Sequence, residues 1–388
     1  MYSFCLNKDI SSLFYYVGFF LYCLSTSLKI SMLGQTNVLL LFITVFKVVS
    51  ISLCVFSLLL KRKISLTYIT LIFVIFTVFL IVKVNTDDHG GLLMLLVMLC
   101  AWNVSPRILS KIYIFTVGGI LVINFFASKL GIVEDRVMLF YRSSTIVQER
   151  HACGFLFCNQ FAGVCFFILS VILYLLNKKS LILFLCCLIF TLFVYFMTYS
   201  RLELLMMLIL SLSPYLLKLF KQFSHTKIFR LLVINIFCIC FVFSFAIVYL
   251  YDTNPSGYRL LNDLMTGRLE LESYAISHYG FSYFGQVIEM VGAGSLEYDN
   301  DPKNYFFIDS FYINWTLVYG FVAVVFLNLL FYWIVKKLYD KNNLVLLFLL
   351  VLAFVHGIII SSILQPSLNP LFTIALADIS FKFNKFNF

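Results

Sequence analysis

Long apolar runs recur along almost the whole chain, and they decide what kind of fold it can adopt. A transmembrane helix needs about 20 apolar residues to cross a hydrocarbon core of roughly 30 Å. Two runs, 90–104 and 369–381, are weaker than the rest. The stronger ones lie at 11–30, 38–60, 66–84, 112–131, 153–176, 180–199, 202–217, 228–251, 308–335 and 344–363.

Composition agrees with a lipid environment. Hydrophobic residues make up 62% of the 388-residue chain, and the mean hydropathy is +1.00. A water-soluble fold has too little polar surface to cover that much apolar material. The sequence therefore predicts an all-α polytopic integral membrane protein with about 12 transmembrane helices.

Basic residues fix the expected orientation. Loops on the cytoplasmic side of a membrane are enriched in Lys and Arg, and the run 61–63 reads Lys-Arg-Lys. Counting spans from there puts the other basic clusters, and both termini, on the cytoplasmic side. The net charge of +10 then follows from topology, so we do not predict a nucleic-acid partner.

This orientation divides the chain into three parts. Nine helices occupy 1–251, a large outer loop occupies 252–307, and three helices occupy 308–388. A shorter outer segment covers 132–152. The large loop has apolar or ring-bearing residues at helical spacing after Thr266, which is a suitable N-cap, so it is expected to contain an amphipathic helix: Leu271, Tyr274, Ala275 and His278.

Arginine is concentrated on the outer side, where basic residues are normally scarce. The planar guanidinium group binds carboxylate or phosphate oxygens in bidentate fashion and stays protonated. The outer face therefore has the side chains needed to hold an anion. Six of the nine arginines are expected there: Arg136, Arg142, Arg150, Arg201, Arg259 and Arg268.

Local ion pairs are the competing interpretation of these arginines. Arg136 is next to Glu134 and Asp135, and Arg150 follows Glu149. Arg268 precedes Glu272 by one helical turn, and Arg201 has Glu203 nearby. No metal site is predicted, because the cysteines lack His and carboxylate neighbours at ligand spacing, and no cofactor is expected.

The layout and two short motifs resemble the O-antigen polymerase family, which shares a superfamily with the O-antigen ligases. Ser200-Arg201 resembles the family's Ser-Arg at an outer helix end, and 266–270, Thr-Gly-Arg-Leu-Glu, resembles the Gly-Arg that opens the loop helix. A family His-Asn pair that starts the span after the loop, with a Gly about ten residues on, is matched by Asp309-Ser310 and Gly320. Here the histidine is replaced by an aspartate.

The resemblance implies transfer of a glycan between undecaprenyl-pyrophosphate carriers on the periplasmic face of the bacterial inner membrane. Arg201 and Arg268 are the first candidates for binding the pyrophosphate, ahead of the other four outer arginines. The acceptor hydroxyl needs a base, and Asp309 is the first candidate, followed by His278, Glu270 and Glu272. Partners implied are the lipid-linked glycans, the bilayer, and a flippase and chain-length regulator of the same pathway.

Three other functions stay open at this stage. A ligase that attaches the finished polymer would share the outer arginines and the loop. A flippase would meet the same pyrophosphate but needs basic residues along a central cavity. A solute carrier needs paired charges at mid-membrane depth.

Overall fold

The computed structural model describes residues 2–61, 64–86, 90–141, 147–176, 180–292 and 305–381. In these residues, eight helices are long and apolar enough to cross a membrane, or nine if one sharply bent pair counts as a span. The chain is thus built as a multi-pass membrane protein. The predicted count of twelve is not reached by length in the described residues, because three further apolar helices, Gly90–Leu99, Leu344–His356 and Leu371–Ser380, have only 10 to 13 residues.

The first part of the chain contains six α-helices in the residues described. Gly18 lets the first two helices touch, since a Cβ there would lie 2.8 Å from the Cys54 sulfur. A π-helical turn, Ile114–Gly118, joins the last two helices into one span. These helices are α1 Tyr2–Lys29, α2 Asn37–Leu59, α3 Leu66–Thr86, α4 Gly90–Leu99, α5 Pro106–Tyr113 and α6 Gly119–Lys129.

The outer segment after α6 contains a β-hairpin that the sequence analysis did not predict. Strands β1 Val137–Tyr141 and β2 Val147–His151 pair antiparallel, with Val137 opposite His151. The hairpin lies at the end of the bundle reached by α6, which we call the loop side. The large loop lies on the same side.

The second half of the chain contains both long and interrupted helices. The bend between the third and fourth of them is 69°, so the predicted span 202–217 is broken at Leu212. In order they are α7 Cys158–Leu176, α8 Leu181–Thr198, α9 Arg201–Ser211, α10 Ser213–Phe223, α11 Lys227–Ile234, α12 Ile236–Thr253, α13 Arg259–Leu264, α14 Arg268–Tyr279, α15 Phe311–Val318, α16 Phe321–Asp340, α17 Leu344–His356 and α18 Leu371–Ser380.

The predicted span 308–335 is wrong in its first part, because α15 does not cross the membrane. The rings of Phe311 and Tyr312, at the start of α15, lie 6.3 and 5.3 Å from Phe237, which also contacts Phe331 in the middle of α16. At 1.5 Å per residue, Phe331 lies about 15 Å below the loop-side end of α16. Val318, at the other end of α15, accepts a hydrogen bond from Gln286 in the large loop. The segment before α15 therefore enters the bundle, and α15 returns to the loop side.

Gly320 makes this return possible. Its φ of +88° lies in a region that side chains rarely adopt, and a Cβ would fall 2.4 Å from the Gly285 nitrogen. The sharp reversal lets α16 begin one residue later and run back through the bundle.

The segment that contains α15 is one interrupted membrane element. The last two helices, α17 and α18, form a second one. The predicted span 344–363 ends early, because α17 stops at His356. Residues 357–370 are irregular and mostly buried before α18 begins. Irregular backbone at membrane depth is tolerated where protein or water surrounds it. We call 357–370 the buried turn; it meets the start of α15, since Phe311 N donates to Gly357 O over 2.8 Å.

Candidate functional site

The loop helix α14 starts in a conformation that fixes Arg268 at its first position. Thr266 and Gly267 both have left-handed backbones, with φ of +59° and +81°. Thr266 therefore is not the N-cap that the sequence predicted; that position belongs to Gly267. The side chain of Asn262 replaces a local cap, because its Oδ1 accepts the N–H of Leu269 over 3.1 Å.

Arg268 connects the loop helix to both interrupted elements. Its Nε lies 3.0 Å from Oδ2 of Asp309, just before α15, and its Nη1 donates to Ile359 O in the buried turn over 3.1 Å. The two side chains are only 11% and 18% exposed. A guanidinium group has five N–H donors, so three are not used by these two contacts.

Burial and charge act in opposite directions on this ion pair. Burial disfavours the charged form of Arg268, but Asp309 above all, with Tyr305, Glu272 and Glu203, raises the pKa of the guanidinium. Burial also raises the pKa of Asp309, while the charge and hydrogen bond of Arg268 oppose that rise. Asp309 is consequently a carboxylate whose basicity exceeds that of an ordinary aspartate.

Glu272 adds a second carboxyl group one helical turn after Arg268. It is 2% exposed, and its Oε1 accepts the N–H of Ser310 over 3.0 Å. Burial raises the pKa of Glu272 to about 8; Asp309 adds to the rise, while the Ser310 N–H and Arg268 reduce it. The sequence paired Arg268 with Glu272, whereas the direct ion-pair partner is Asp309.

Glu203 and His356 form a fully enclosed dyad beside this cluster. The Nε2 atom of His356 lies 2.9 Å from both carboxylate oxygens of Glu203, with relative exposures of 0% and 3%. The imidazole packs against Phe166 with ring centroids 4.5 Å apart. Glu203 lies in the first turn of α9 and His356 in the last turn of α17, which are the helix ends that favour a negative and a positive charge.

Glu203, the carboxylate expected to pair with Arg201, therefore binds His356 instead. Arg201 is exposed at the first position of α9. Because His356 is followed directly by Gly357 and the buried turn, the dyad also anchors the backbone that holds Arg268 and α15.

We call Arg268, Asp309 and Glu272 the charged centre. The N-termini of three helices, α9, α14 and α15, lie close to it. Backbone N–H groups and the helix dipole make such ends favourable for anions. The N-cap of α15, Ser310, makes no side-chain capping bond. Among the described residues, neither its buried Oγ nor Nδ1 of His356 has a hydrogen-bond partner. Both atoms are closed off from the surface, so these two polar groups are unsatisfied inside the described part of the protein.

Arg150 joins the β-hairpin to the bundle. Its Nε donates to Thr198 O and its Nη2 donates to Asn159 Oδ1, and both distances are 2.7 Å. Glu149, its expected partner, is exposed. The guanidinium lies at the carbonyl end of α8, where a cation is favourable, so Arg150 fixes the hairpin against the helix ends.

The other candidates occupy different surroundings. Arg259, Glu270 and His278 are exposed, and His278 stacks on Tyr274. Arg136 is half-buried before β1; neighbouring Asp135 contacts Lys129 and His151. Arg142 lies outside the described residues.

Sequence reasoning missed His356, Asn262 and Ser310. A signal existed for His356, because a histidine inside the apolar run 344–363 is costly unless it has a partner. Asn262 lies in the large loop, where polar residues are common, and Ser310 enters the sequence analysis only as part of the Asp309-Ser310 match. Neither residue gives a comparable signal for its contact.

The arrangement can hold an anion and accept a proton within one small region. Arg268 has N–H groups not used by its two contacts, and Asp309 and Glu272 are carboxyl groups of raised pKa. No family model, curated protein or solved structure matches this chain.

Proposed function

We propose that this protein is an O-antigen polymerase, which joins undecaprenyl-pyrophosphate-linked repeat units at the outer face of the bacterial inner membrane. The observation that carries the proposal is the buried contact of Arg268 with Asp309, next to Glu272. It combines a fixed guanidinium group with carboxyl groups of raised pKa. Those are the groups that glycosyl transfer from a pyrophosphate carrier needs.

The proposed reaction proceeds by one displacement. An acceptor hydroxyl oxygen attacks the anomeric carbon of the donor glycan, and the bond from that carbon to the pyrophosphate oxygen breaks. The electron pair of that bond stays on the leaving pyrophosphate. N–H groups of Arg268 that are not used by Asp309 and Ile359 stabilise the negative charge that develops there.

Asp309 is the proposed base that takes the hydroxyl proton. It is 18% exposed, whereas Glu272 is 2% exposed, so a substrate reaches Asp309 more easily. Its raised pKa makes it a better proton acceptor than an ordinary aspartate near neutral pH. Glu272 holds the turn before α15 through Ser310 N–H.

Arg201 is the proposed second pyrophosphate contact. It is exposed at the start of α9, while Glu203 of the same turn is engaged by His356. A cation at the start of α9 can meet the carrier as it enters from the bilayer.

In this proposal both termini of the chain are cytoplasmic. A flippase and a chain-length regulator of the same pathway are the proposed partners.

Deletion of the gene separates the candidate functions, with surface polysaccharide analysed by gel. Loss of the ladder to a single repeat unit supports a polymerase. Loss of all attached O-units points instead to a ligase or a flippase, and an unchanged ladder excludes all three.

In the deletion strain, Asp309→Asn should leave elongation reduced by roughly 10²-fold or more, as expected for a lost general base.

A further inference from the structure

Four rings form a connected cluster on the loop side. Tyr274 stacks on His278 with centroids 5.3 Å apart and an interplanar angle of 10°. Tyr279 lies 4.8 Å from His278 and 5.9 Å from Phe306, and Phe306 also meets Tyr274 at 5.6 Å. We call Tyr274, His278, Tyr279 and Phe306 the ring platform.

One ring of the platform, Tyr279, lies on the same side of the loop helix as Arg268. Tyr279 comes eleven residues after Arg268, three whole helical turns, so both lie on one side of α14 about 16 Å apart. Phe306 lies on the segment that leads into the bundle to Asp309. A glycan that has its reducing end at Arg268 and follows this side of α14 would therefore reach the platform at Tyr279.

We propose that the ring platform binds sugar rings of the lipid-linked glycan, at a distance from the reacting carbon. This rests on the proposed function. The C–H face of a pyranose is apolar and packs on aromatic rings, while Tyr hydroxyls and the His nitrogens can bond sugar hydroxyls. Tyr274 is 52% exposed and His278 is exposed, so ring faces are accessible.

A different set of aromatic residues fits the membrane interface. Tyr and Trp commonly lie at the headgroup level in membrane proteins. Phe281 and Tyr283 are 61% and 75% exposed, and Phe281 contacts Phe245 of the membrane helix α12. These residues follow α14, whereas the platform rings pack on one another beside the centre.

Saturation-transfer NMR on the full chain in lipid nanodiscs tests the proposal. The probe is the oligosaccharide released by mild acid from the surface polysaccharide of the source strain. We expect saturation to reach C–H protons of the sugar. Tyr274→Ala and Tyr279→Ala should weaken binding about tenfold each, the change that accompanies ~1.4 kcal/mol, whereas Tyr274→Phe should retain binding.

Tyr283→Ala is the matched control, since it removes an exposed tyrosine outside the platform and should bind the probe like the wild type. Absence of transfer to the wild type, or unchanged binding by Tyr274→Ala, would overturn the proposal. Unchanged binding with altered nanodisc stability would assign the rings to the membrane interface.

This outcome is separable from that of the proposed function. Sugar binding by a protein whose deletion leaves the ladder intact would reject the polymerase but retain the platform. Loss of the ladder without sugar binding would retain the polymerase but reject the platform.

Discussion

Arg268 donates from Nε to Oδ2 of Asp309 over 3.0 Å, and this contact closes the large loop onto the interior of the bundle. It joins the first residue of α14 to the residue before Ser310, the N-cap of α15. The pair is well shielded from water, so its Coulomb attraction is screened far less than that of a surface pair.

Arg268→Lys should abolish long chains although it keeps the charge. A lysine ammonium cannot reproduce the guanidinium fork that reaches Asp309, Ile359 and a ligand together. We expect elongation to fall by roughly 10²-fold, the usual cost of losing a charge-stabilising donor. The polysaccharide ladder of a complemented deletion strain measures it.

The chain offers a close control. Arg230 pairs with Asp340 at 3.1 Å on the opposite side, where both side chains are nearly half exposed. Arg230→Lys should leave the ladder unchanged, and equal loss in both variants would contradict the assignment.

Glu272→Gln should remove a pH dependence of stability. The pKa of Glu272 rises from 4.5 to about 8 on folding, so the folded state binds a proton that the unfolded state releases between these values. The stabilisation is therefore complete below about pH 4.5 and is lost as pH rises to about 8. Thermal unfolding in detergent across that range should show a shallower decline for Glu272→Gln, whose amide still accepts the Ser310 N–H.

Glu270→Gln serves as the comparison, because Glu270 lies on the same helix but is exposed. Its pH profile should follow the wild type. A wild-type profile that rises over this range would contradict the burial of Glu272.

The sequence predicted the apolar helices well because their signal is local. Run length locates the eight described helices that are long enough to cross a membrane, but it cannot reveal that a run turns back, as 308–318 does before Gly320. That outcome depends on packing of Phe311 and Tyr312 against Phe237, which is a long-range contact. The β-hairpin was missed because five-residue strands between long helices give a weak pattern.

The candidate site was likewise predicted in part from the sequence and in part not. Residue type and expected side of the membrane singled out Arg268, and the resemblance to a family motif singled out Asp309, but the sequence suggested Glu272 as the ion-pair partner at i+4. The fold instead brings Asp309 to Arg268 and buries Glu272 against Ser310. His356 belongs to the centre because α17 ends in the interior. A histidine followed by a glycine is a helix-ending signal, but here it lies inside an apolar run long enough to be taken as one span.

Gly320→Ala should prevent correct folding of the interrupted element. An alanine there needs the unfavourable φ of +88° and places its Cβ 2.4 Å from the Gly285 backbone. Gly119→Ala makes a matched change, since no atom lies within 4 Å of a Cβ and the residue is helical. It should be neutral or stabilise by up to about 1 kcal/mol. The folded yield of the two variants by size-exclusion chromatography distinguishes them, and similar yields would argue against the reversal at Gly320.

His356→Phe should destabilise the protein more than removal of the whole dyad. The single change leaves the buried carboxyl group of Glu203 without its hydrogen-bond partner, which costs about 1–3 kcal/mol. Adding Glu203→Met removes that polar group and should recover most of the loss, because a phenylalanine at 356 packs with Phe166. Thermal unfolding of the purified variants measures both steps. His225→Phe, at an exposed histidine on the opposite side, should change stability by less than about 0.5 kcal/mol. If the double variant were no more stable than His356→Phe, the cost would come from lost packing, and the carboxyl group of Glu203 would not depend on His356 as its hydrogen-bond partner.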